Sequence, residues 1–223
     1  MADYTLYYWP VPFRGEFIRA ILAHQGAMVE EPDAAAIGSM MQADPATQPV
    51  PHMAPPLLVD NASGEAVAEM PAICFWLGQR FGLMPEEPHR SALAMKLVND
   101  ANDVLDEITL NGGKSMWTES AWTDYQPRLR RWMHIWEATH ARGWLPADEE
   151  GLAQIVTATL WGVMTDRLPR LRPMLEAEAP GVAQSTDRFR ALPSLSAQAR
   201  DSRDRFGEAW CGGDIEKSLR RVL

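Results

Sequence analysis

The chain has few of the residues that build disulfide frameworks or metal sites. Among its 223 residues there are only two cysteines, Cys74 and Cys211, and no C-x-x-C motif. Two isolated cysteines suit a reducing compartment and indicate neither a disulfide framework nor a zinc site. None of the five histidines forms an H-x-x-x-H pair on one helix face, so we expect no metal ion.

Positive charge and long apolar runs are also scarce. The 21 Lys and Arg residues are outnumbered by 30 Asp and Glu residues, which gives a formal net charge of −9. This balance argues against nucleic acid as a partner, because phosphate binding depends on clusters of Lys and Arg. No apolar run approaches the ~18 residues that a membrane span requires, and the first ten residues lack a signal-peptide pattern. We therefore expect a cytoplasmic protein that binds neither nucleic acid nor a membrane.

What is present is an ordinary globular composition, with 46% hydrophobic and 23% charged residues. Residues 54–82 carry the clearest local pattern, a short hairpin followed by a helix. The apolar run 57–59 is too short for a helix and is bounded by turn residues. Pro71 suits the first turn of a helix, and Gly82 suits its left-handed end. The N-terminus of such a helix carries free N–H donors and partial positive charge, and it favours a carboxylate.

The segment before this hairpin predicts a β-α-β unit. Residues 5–9 are rich in β-branched and aromatic side chains and stop at Pro10, which indicates a strand. Residues 15–26 have helical apolar spacing and end at Gly26, and residues 27–31 suit a second strand. A β-α-β unit followed by β-β-α is a thioredoxin-like order. From Arg90 onward the pattern predicts helices only.

Two motifs resemble those of a known family. Residues 56–60, Pro-Leu-Leu-Val-Asp, followed by residues 69–73, Glu-Met-Pro-Ala-Ile, resemble the P-x-L-V-D … (E/Q)-S-x-A-I signature of cytosolic glutathione transferases. The resemblance implies an α/β thioredoxin-like domain followed by an all-α domain. It also implies a cis proline at position 56 and a helix N-terminus at residue 69 that holds the γ-glutamyl carboxylate of glutathione.

The start of the chain resembles the tyrosine-type members of this family. Residues 4–11 and Arg14-Gly15 are similar to the family pattern Y-T-h-h-Y-(F/W)-P-V-R-G, where h is apolar, although two residues, Pro12 and Phe13, are inserted. The resemblance assigns the catalytic tyrosine to Tyr8. A phenol with a pKa of ~10 is a poor base but a good donor to a thiolate. From the residues alone Tyr7 stays open as the donor, since successive strand residues point to opposite faces.

The resemblance also implies which residues border the ligands. For glutathione, the co-substrate, they are Phe13, Gln48, His52, Pro55, Glu69, Met70 and Asp103, the last reaching across a homodimer. For the electrophile pocket they are Trp9, Met116 and Trp117. Aromatic residues at helical spacing are more often core residues, and acidic side chains on a helix face are more often solvated.

Three departures from the family pattern concern the glutathione site. No Lys or Arg occurs between Arg19 and Arg80, so the loop before the hairpin offers no cation for the glycine carboxylate. Pro55 stands where the family offers a backbone N–H, and proline has none. Met70 stands where the family has a serine, so a hydroxyl donor is missing. We therefore expect weak glutathione binding.

The sequence-based interpretation is a glutathione transferase that conjugates or reduces small electrophiles and forms a homodimer. Its predicted parts are a thioredoxin-like, glutathione-binding domain (1–84), a linker (85–92) and an all-helical domain (93–223). One alternative is a glutathione-dependent isomerase or peroxidase that uses the same site. Another is a non-catalytic, transferase-like interaction domain, which the missing cations and Met70 favour and Tyr8 opposes.

Overall fold

The computed structural model describes residues 2–146 and 149–223 and begins with a mixed sheet flanked by helices. Its elements run in the order β1 (Tyr4–Tyr7), α1 (Phe13–His24), β2 (Val29–Glu30), α2 (Ala34–Gln42), β3 (Leu57–Asp60), β4 (Ala66–Ala68) and α3 (Met70–Arg80). The four strands of the sheet lie in the order β2-β1-β3-β4. Strands β1 and β2 are parallel, whereas β3 is antiparallel to both β1 and β4. The thioredoxin-like prediction is confirmed.

The second part of the described chain is helical, as predicted. Its elements are α4 (Pro88–Ile108), α5 (Leu110–Gly113), α6 (Glu119–Ala141), α7 (Leu152–Arg167), a 3-10 helix (Pro169–Leu171), α8 (Arg172–Glu178), α9 (Pro180–Arg190), α10 (Pro193–Phe206) and α11 (Gly213–Val222). Helix α7 is buried along almost its whole length and packs against α1, α4 and α9. It is therefore the centre of a hydrophobic core that continues into the sheet. No helix in these described ranges is both long enough and apolar enough to cross a bilayer.

Local signals explain the boundaries of α3. Pro71 lies in its first turn, and Gly82 has a φ of +68° just past its end. The positive φ is accessible to glycine because it has no Cβ, which is why a glycine ends the helix here. The sequence-based expectation for this element is confirmed.

Some boundaries differ from the sequence-based expectations. Strand β1 ends at Tyr7 rather than at residue 9. Helix α1 begins at Phe13 rather than Gly15, and the Glu16 N–H already donates to the Pro12 carbonyl over 2.9 Å. Helix α11 has Gly212 as its N-cap residue. Asp214 lies in its first turn, where a negative charge favours the positive end of the helix.

The division into domains stays a prediction. Helix α3 ends at Arg80 and α4 begins at Pro88, so the first turn of α4 lies inside the predicted linker 85–92. Proline is accepted at this position because the first N–H groups of a helix have no intrahelical partner. Glu87 caps α4 by accepting hydrogen bonds from the N–H groups of His89 and Arg90.

Candidate functional site

The register of the sheet brings three predicted site segments to one edge. Tyr7 pairs with Leu57 across β1 and β3, and Leu57 pairs with Ala68 across β3 and β4. The next residues in this row are Tyr8, Pro56 and Glu69. The Glu69 N–H donates to the Pro56 carbonyl over 3.1 Å, so the row continues beyond the paired strands. The Pro55–Pro56 peptide bond is cis, as predicted.

Tyr8 follows the last residue of β1, and its side chain is only 4% exposed. The backbone N–H of Arg14, in the first turn of α1, donates to the Tyr8 hydroxyl oxygen over 3.0 Å. Because the phenol oxygen accepts this bond, its own proton remains available for a third atom. Tyr7 is the last residue of β1 and is half-buried.

The electrical environment of Tyr8 favours a protonated donor. Burial raises the pKa of Tyr8 to about 12, while the Arg14 guanidinium and the N–H groups of Arg14 and Gly15 act in the opposite direction. The phenol is therefore protonated at neutral pH. The same N–H groups belong to the positive end of α1, where negative charge on a nearby acceptor is stabilised.

Gly15 allows this arrangement sterically. A Cβ atom at Gly15 would lie 2.8 Å from Cγ of the Tyr8 ring, closer than real Cβ contacts approach. The Tyr8 ring thus lies directly on the backbone of α1, and any larger residue at position 15 would displace it.

The first turn of α3 follows Glu69, whose φ of +74° is unusual for a non-glycine residue. The first N–H groups of a helix have no intrahelical acceptor, and in α3 these belong to Met70 and Ala72, since Pro71 has none. The Met70 side chain is completely buried in the core. This turn therefore offers backbone donors, and the side chain at the family's serine position faces inward.

The loop before β3 is braced by its own side chains. Gln48 donates to the Met40 carbonyl over 3.0 Å and accepts from the His52 N–H over 2.8 Å. The His52 ring Nδ1 lies 2.9 Å from the Val50 carbonyl. The Gln48 amide thus fixes the loop. The His52 side chain is half-buried, and its Nε2 atom takes no part in the contact with the Val50 carbonyl.

A segment near the end of the chain covers the start of α1. The Phe13 N–H donates to the Trp210 carbonyl over 3.1 Å, and the two rings meet edge to face at 5.3 Å. Glu216 holds this segment, because one of its carboxylate oxygens accepts from the N–H groups of Trp210, Cys211 and Gly212. Burial works to raise the pKa of Glu216, but these bonds and Arg220 outweigh it and lower the pKa. Phe13 is therefore an anchor for the C-terminal segment.

Helix α4 approaches the site through a pair of residues one turn apart. Arg14 Nε donates to Asn102 Oδ1 over 2.9 Å, and Arg14 Nη2 lies 3.7 Å from Asp106. Asp103, predicted to bind glutathione, is exposed on another side of this helix. The structure thus brings Asn102 and Asp106 to the side chain of Arg14, whose backbone N–H contacts Tyr8, and leaves Asp103 exposed on the single chain.

The predicted electrophile pocket is divided between surface and core. Trp9 and Met116 are 36% and 41% exposed. Trp117 is 5% exposed, its indole N–H donates to the Ile108 carbonyl, and its ring packs against Trp122. Trp117 therefore anchors the start of α6 and leaves little ring surface for a ligand.

Sequence reasoning did not single out Arg14, Gly15, Asn102, Trp210 or Glu216 as site residues. The i, i+4 spacing of Asn102 and Asp106 was available as a signal, since such residues share a helix face. The contacts of Trp210 and Glu216 join distant parts of the chain, and local periodicity does not reveal them. In the described residues no group of three or more His, Cys, Asp and Glu side chains is placed to hold a metal ion.

Comparison with known proteins adds a family and a set of similar folds. The family model described as "Glutathione S-transferase, C-terminal domain" matches residues 93–222. No curated protein sequence gave a match.

Three solved structures illustrate the likeness in fold. The Pi-class glutathione S-transferase of Onchocerca volvulus has 17% identity and a TM-score of 0.74, over 95% of this chain and 98% of its own. The glutathione S-transferase of Ascaris lumbricoides has 19% identity and a TM-score of 0.72, over 90% and 97%. Ure2p5 of Phanerochaete chrysosporium, cocrystallised with 1-(S-glutathionyl)-2,4-dinitrobenzene, has 14% identity and a TM-score of 0.73, over 92% and 96%. At such identities the likeness concerns the fold.

Proposed function

The chain belongs to the cytosolic glutathione S-transferase family, and on that premise we propose that it is a transferase that joins glutathione to small electrophiles. Tyr8 donates its hydroxyl proton in a hydrogen bond to the glutathione thiolate. The thiolate attacks an electrophilic carbon, a carbon–sulfur bond forms, and the leaving group departs with its electron pair.

One observation carries this proposal. The Tyr8 oxygen accepts from the Arg14 N–H at 3.0 Å, so the phenol O–H can donate to a thiolate. A thiol with an ordinary pKa of ~8.5 is mostly protonated at neutral pH. Lowering that pKa by ~2 units requires about 2.7 kcal/mol of preferential thiolate stabilisation. One charge-assisted hydrogen bond contributes about 1.5–3 kcal/mol, which is enough for most of that shift.

In this proposal the rest of glutathione binds along the edge of the sheet. In the proposed mode the cysteinyl unit lies beside Pro55 and the γ-glutamyl unit beside Glu69, with the γ-glutamyl carboxylate accepting from the N–H groups of Met70 and Ala72. The support is the shared row of Tyr8, Pro56 and Glu69 across the sheet. Gln48 orders the loop that presents His52 towards the glycine end. Phe13, the first residue of α1, forms part of the wall of the proposed glutathione site.

The electrophile enters on the side of the helical domain. The exposed faces of Trp9 and Met116 and the guanidinium of Arg14 are the candidate contacts. The bound 1-(S-glutathionyl)-2,4-dinitrobenzene is a property of the Phanerochaete protein. It makes chlorodinitrobenzene a reasonable first substrate to assay here.

A non-catalytic, transferase-like interaction domain is the second candidate. Two observations favour it: residues 20–79 contain no Lys or Arg, and the Met70 side chain is buried and adds no donor. A glutathione-dependent isomerase or peroxidase would use the same thiolate and is distinguished by its substrate. A cytoplasmic homodimer is part of the proposal, and exposed Asp103 on α4 would then meet the partner copy. Analytical ultracentrifugation tests the dimer, which a monomer at micromolar concentration would contradict.

The test of the mechanism compares two tyrosines. Tyr8→Phe keeps the ring and deletes the hydroxyl, so kcat/KM with chlorodinitrobenzene should fall by one to two decades, about 1.5–3 kcal/mol. The pKa of the bound thiol, read from thiolate absorbance against pH, should rise towards its free value. Tyr7→Phe is the matched control and should change neither quantity.

Each outcome decides between the candidates. If the two variants exchange their effects, Tyr7 is the donor and the assignment from the family motif is off by one residue. If glutathione binds and neither variant changes the thiol pKa, Tyr8 is not the thiolate donor. If the wild-type protein has no activity with any electrophile, the interaction-domain candidate replaces the transferase.

A further inference from the structure

A buried charged network lies beside the Tyr8 ring. Arg19 of α1 is 4% exposed and its guanidinium lies 5.8 Å from the centre of the Tyr8 ring. Its Nη1 donates to the carbonyls of Val11 and Pro12 over 3.0 and 3.3 Å. These two carbonyls belong to the turn that leads into the first turn of α1. Arg19 therefore fixes the backbone immediately before the N–H that orients the Tyr8 hydroxyl.

Carboxylates of two different elements complete the shell of Arg19. Its Nε and Nη2 donate to Glu31, at 3.0 and 2.6 Å for the closest pairs, and its Nη1 also reaches Glu16 at 3.2 Å. Glu31 follows β2, and Glu16 lies in α1. A guanidinium presents several donors in a rigid plane, so one side can bind Glu31 while another holds the turn. A lysine has one point of charge and cannot do both.

The helical domain reaches this network through α10. Arg205 Nη1 donates to Glu31 Oε1 over 2.9 Å. The Phe206 ring lies beneath both guanidiniums, with Arg19 at 4.7 Å and Arg205 at 4.8 Å from its centre. Gln198, earlier on α10, donates to Glu16 over 2.9 Å. Two contacts from one helix of the second domain thus bind both carboxylates that surround Arg19.

We propose that Arg19 and Arg205 are positioning residues, which act through Glu31 and the Val11–Pro12 turn on the Arg14 amide and so on the Tyr8 hydroxyl. This inference rests on the proposed function for its kinetic readout. Neither arginine touches the thiol. Their role is to keep the donor at its angle and distance, and α10 is one of the elements through which the helical domain contributes to that geometry.

The experiment uses Arg19→Lys and Arg205→Ala, with Arg203→Ala as the matched control. Arg19→Lys keeps the charge, so Glu16 and Glu31 are not left without a cation. Arg203 is two residues from Arg205 on α10 but pairs with Glu208 at 2.7 Å, away from the network. Both test variants should raise the pKa of the bound thiol and lower kcat by roughly threefold to thirtyfold, because small displacements of positioned groups cost up to two decades. The KM for glutathione should change less than about twofold, because neither variant removes a contact that binds glutathione equally in the ground state and the transition state.

Two further measurements separate this inference from the proposed function. The effect of Arg205→Ala on thiol pKa should disappear in a Tyr8→Phe background, because residues acting through one another are not additive. The NMR resonance of the Tyr8 Cζ atom is assigned by its disappearance in Tyr8→Phe. In the protein without glutathione, this resonance should shift in Arg205→Ala and stay in place in Arg203→Ala.

The resonance test stands even if Tyr8 has no part in catalysis. An unmoved Tyr8 resonance in Arg19→Lys and Arg205→Ala overturns the inference. So does an effect on thiol pKa that persists after Tyr8→Phe. Loss of unfolding temperature alone, with thiol pKa and resonance unchanged, would mean that the network is structural only and would also overturn it.

Discussion

The two ends of the candidate site are built differently. The thiol end, made of Tyr8, Arg14 and Gly15, has a hydroxyl held by a backbone N–H beside the guanidiniums of Arg14 and Arg19. The carboxylate end, made of residues 44–56 and the first turn of α3, has no Lys or Arg. Its donors are backbone N–H groups and His52. For the proposed glutathione complex, this contrast predicts that the thiol is positioned more firmly than the charged ends are attracted, so we expect a high KM with a substantial kcat.

The largest expected effect tests why the carboxylate end lacks a hydroxyl. Met70→Ser should lower the free energy of unfolding by about 2–5 kcal/mol, because it leaves a cavity where a fully buried side chain stood. Urea unfolding measures this, and Met53→Ser is the control. Met53 is 86% exposed, so its substitution should stay within about 0.5 kcal/mol of wild type. Equal stability of Met70→Ser and wild type would mean that position 70 was free to carry a donor.

The next prediction disturbs the thiol end alone. Gly15→Ala should cost about 1–3 kcal/mol of stability, because the new methyl group overlaps the Tyr8 ring. The displaced ring should also lower kcat/KM by a decade or more, about 1.4 kcal/mol in activation free energy. In contrast, Gly38→Ala in α2 meets no atom within 4 Å and should stabilise the protein by about 0.5–1 kcal/mol. Full activity in Gly15→Ala would contradict the close contact.

Acid should weaken the shell of carboxylate contacts around the thiol end. Burial works to raise the pKa of Glu31, but the hydrogen bonds from Arg19 and Arg205 outweigh it and lower that pKa, and Glu216 is lowered too. A lowered carboxyl pKa stabilises the folded state fully above its unfolded value of ~4.3 and loses that contribution as the pH falls through the folded value. Glu216→Gln should therefore cost about 1–3 kcal/mol at neutral pH, with the difference shrinking in acid. Parallel stability curves down to about pH 3 would contradict this.

Features set by neighbouring residues could be predicted from the sequence, whereas features set by contacts between distant parts of the chain could not. Pro71 and Gly82 mark the two ends of α3 within the element itself, so its bounds follow from the residues. The assignment of Asp103 depends on motif spacing and on a partner copy and stays a prediction, whereas within the single chain Asn102 and Asp106 contact Arg14. A difference of one residue rotates a helical side chain by about 100°. Only the packing of α4 on α1 decides which face is inward.

The smallest effect concerns the missing cation. His52→Lys should tighten glutathione binding by about 0.3–1 kcal/mol, the value of a partly exposed ion pair, and should leave kcat unchanged. Isothermal titration calorimetry measures the glutathione affinity, and steady-state kinetics measure kcat and KM separately. The gain in affinity should become smaller as salt is added. Met53→Lys places the same charge one residue away on an exposed side chain and should do less. Equal gains from both would show that net charge, and not a defined carboxylate end, governs affinity.

The bond between the Phe13 N–H and the Trp210 carbonyl has a consequence for synthesis on the ribosome. A chain grows from its N-terminus, so the strand with Tyr8 is made long before residue 210. The start of α1 cannot acquire this partner until residue 210 has been translated. Closing so long a loop also costs entropy before the contact is gained. The first domain can begin to fold during translation, but the contact between Phe13 and Trp210 beside its tyrosine forms only after residue 210 has emerged.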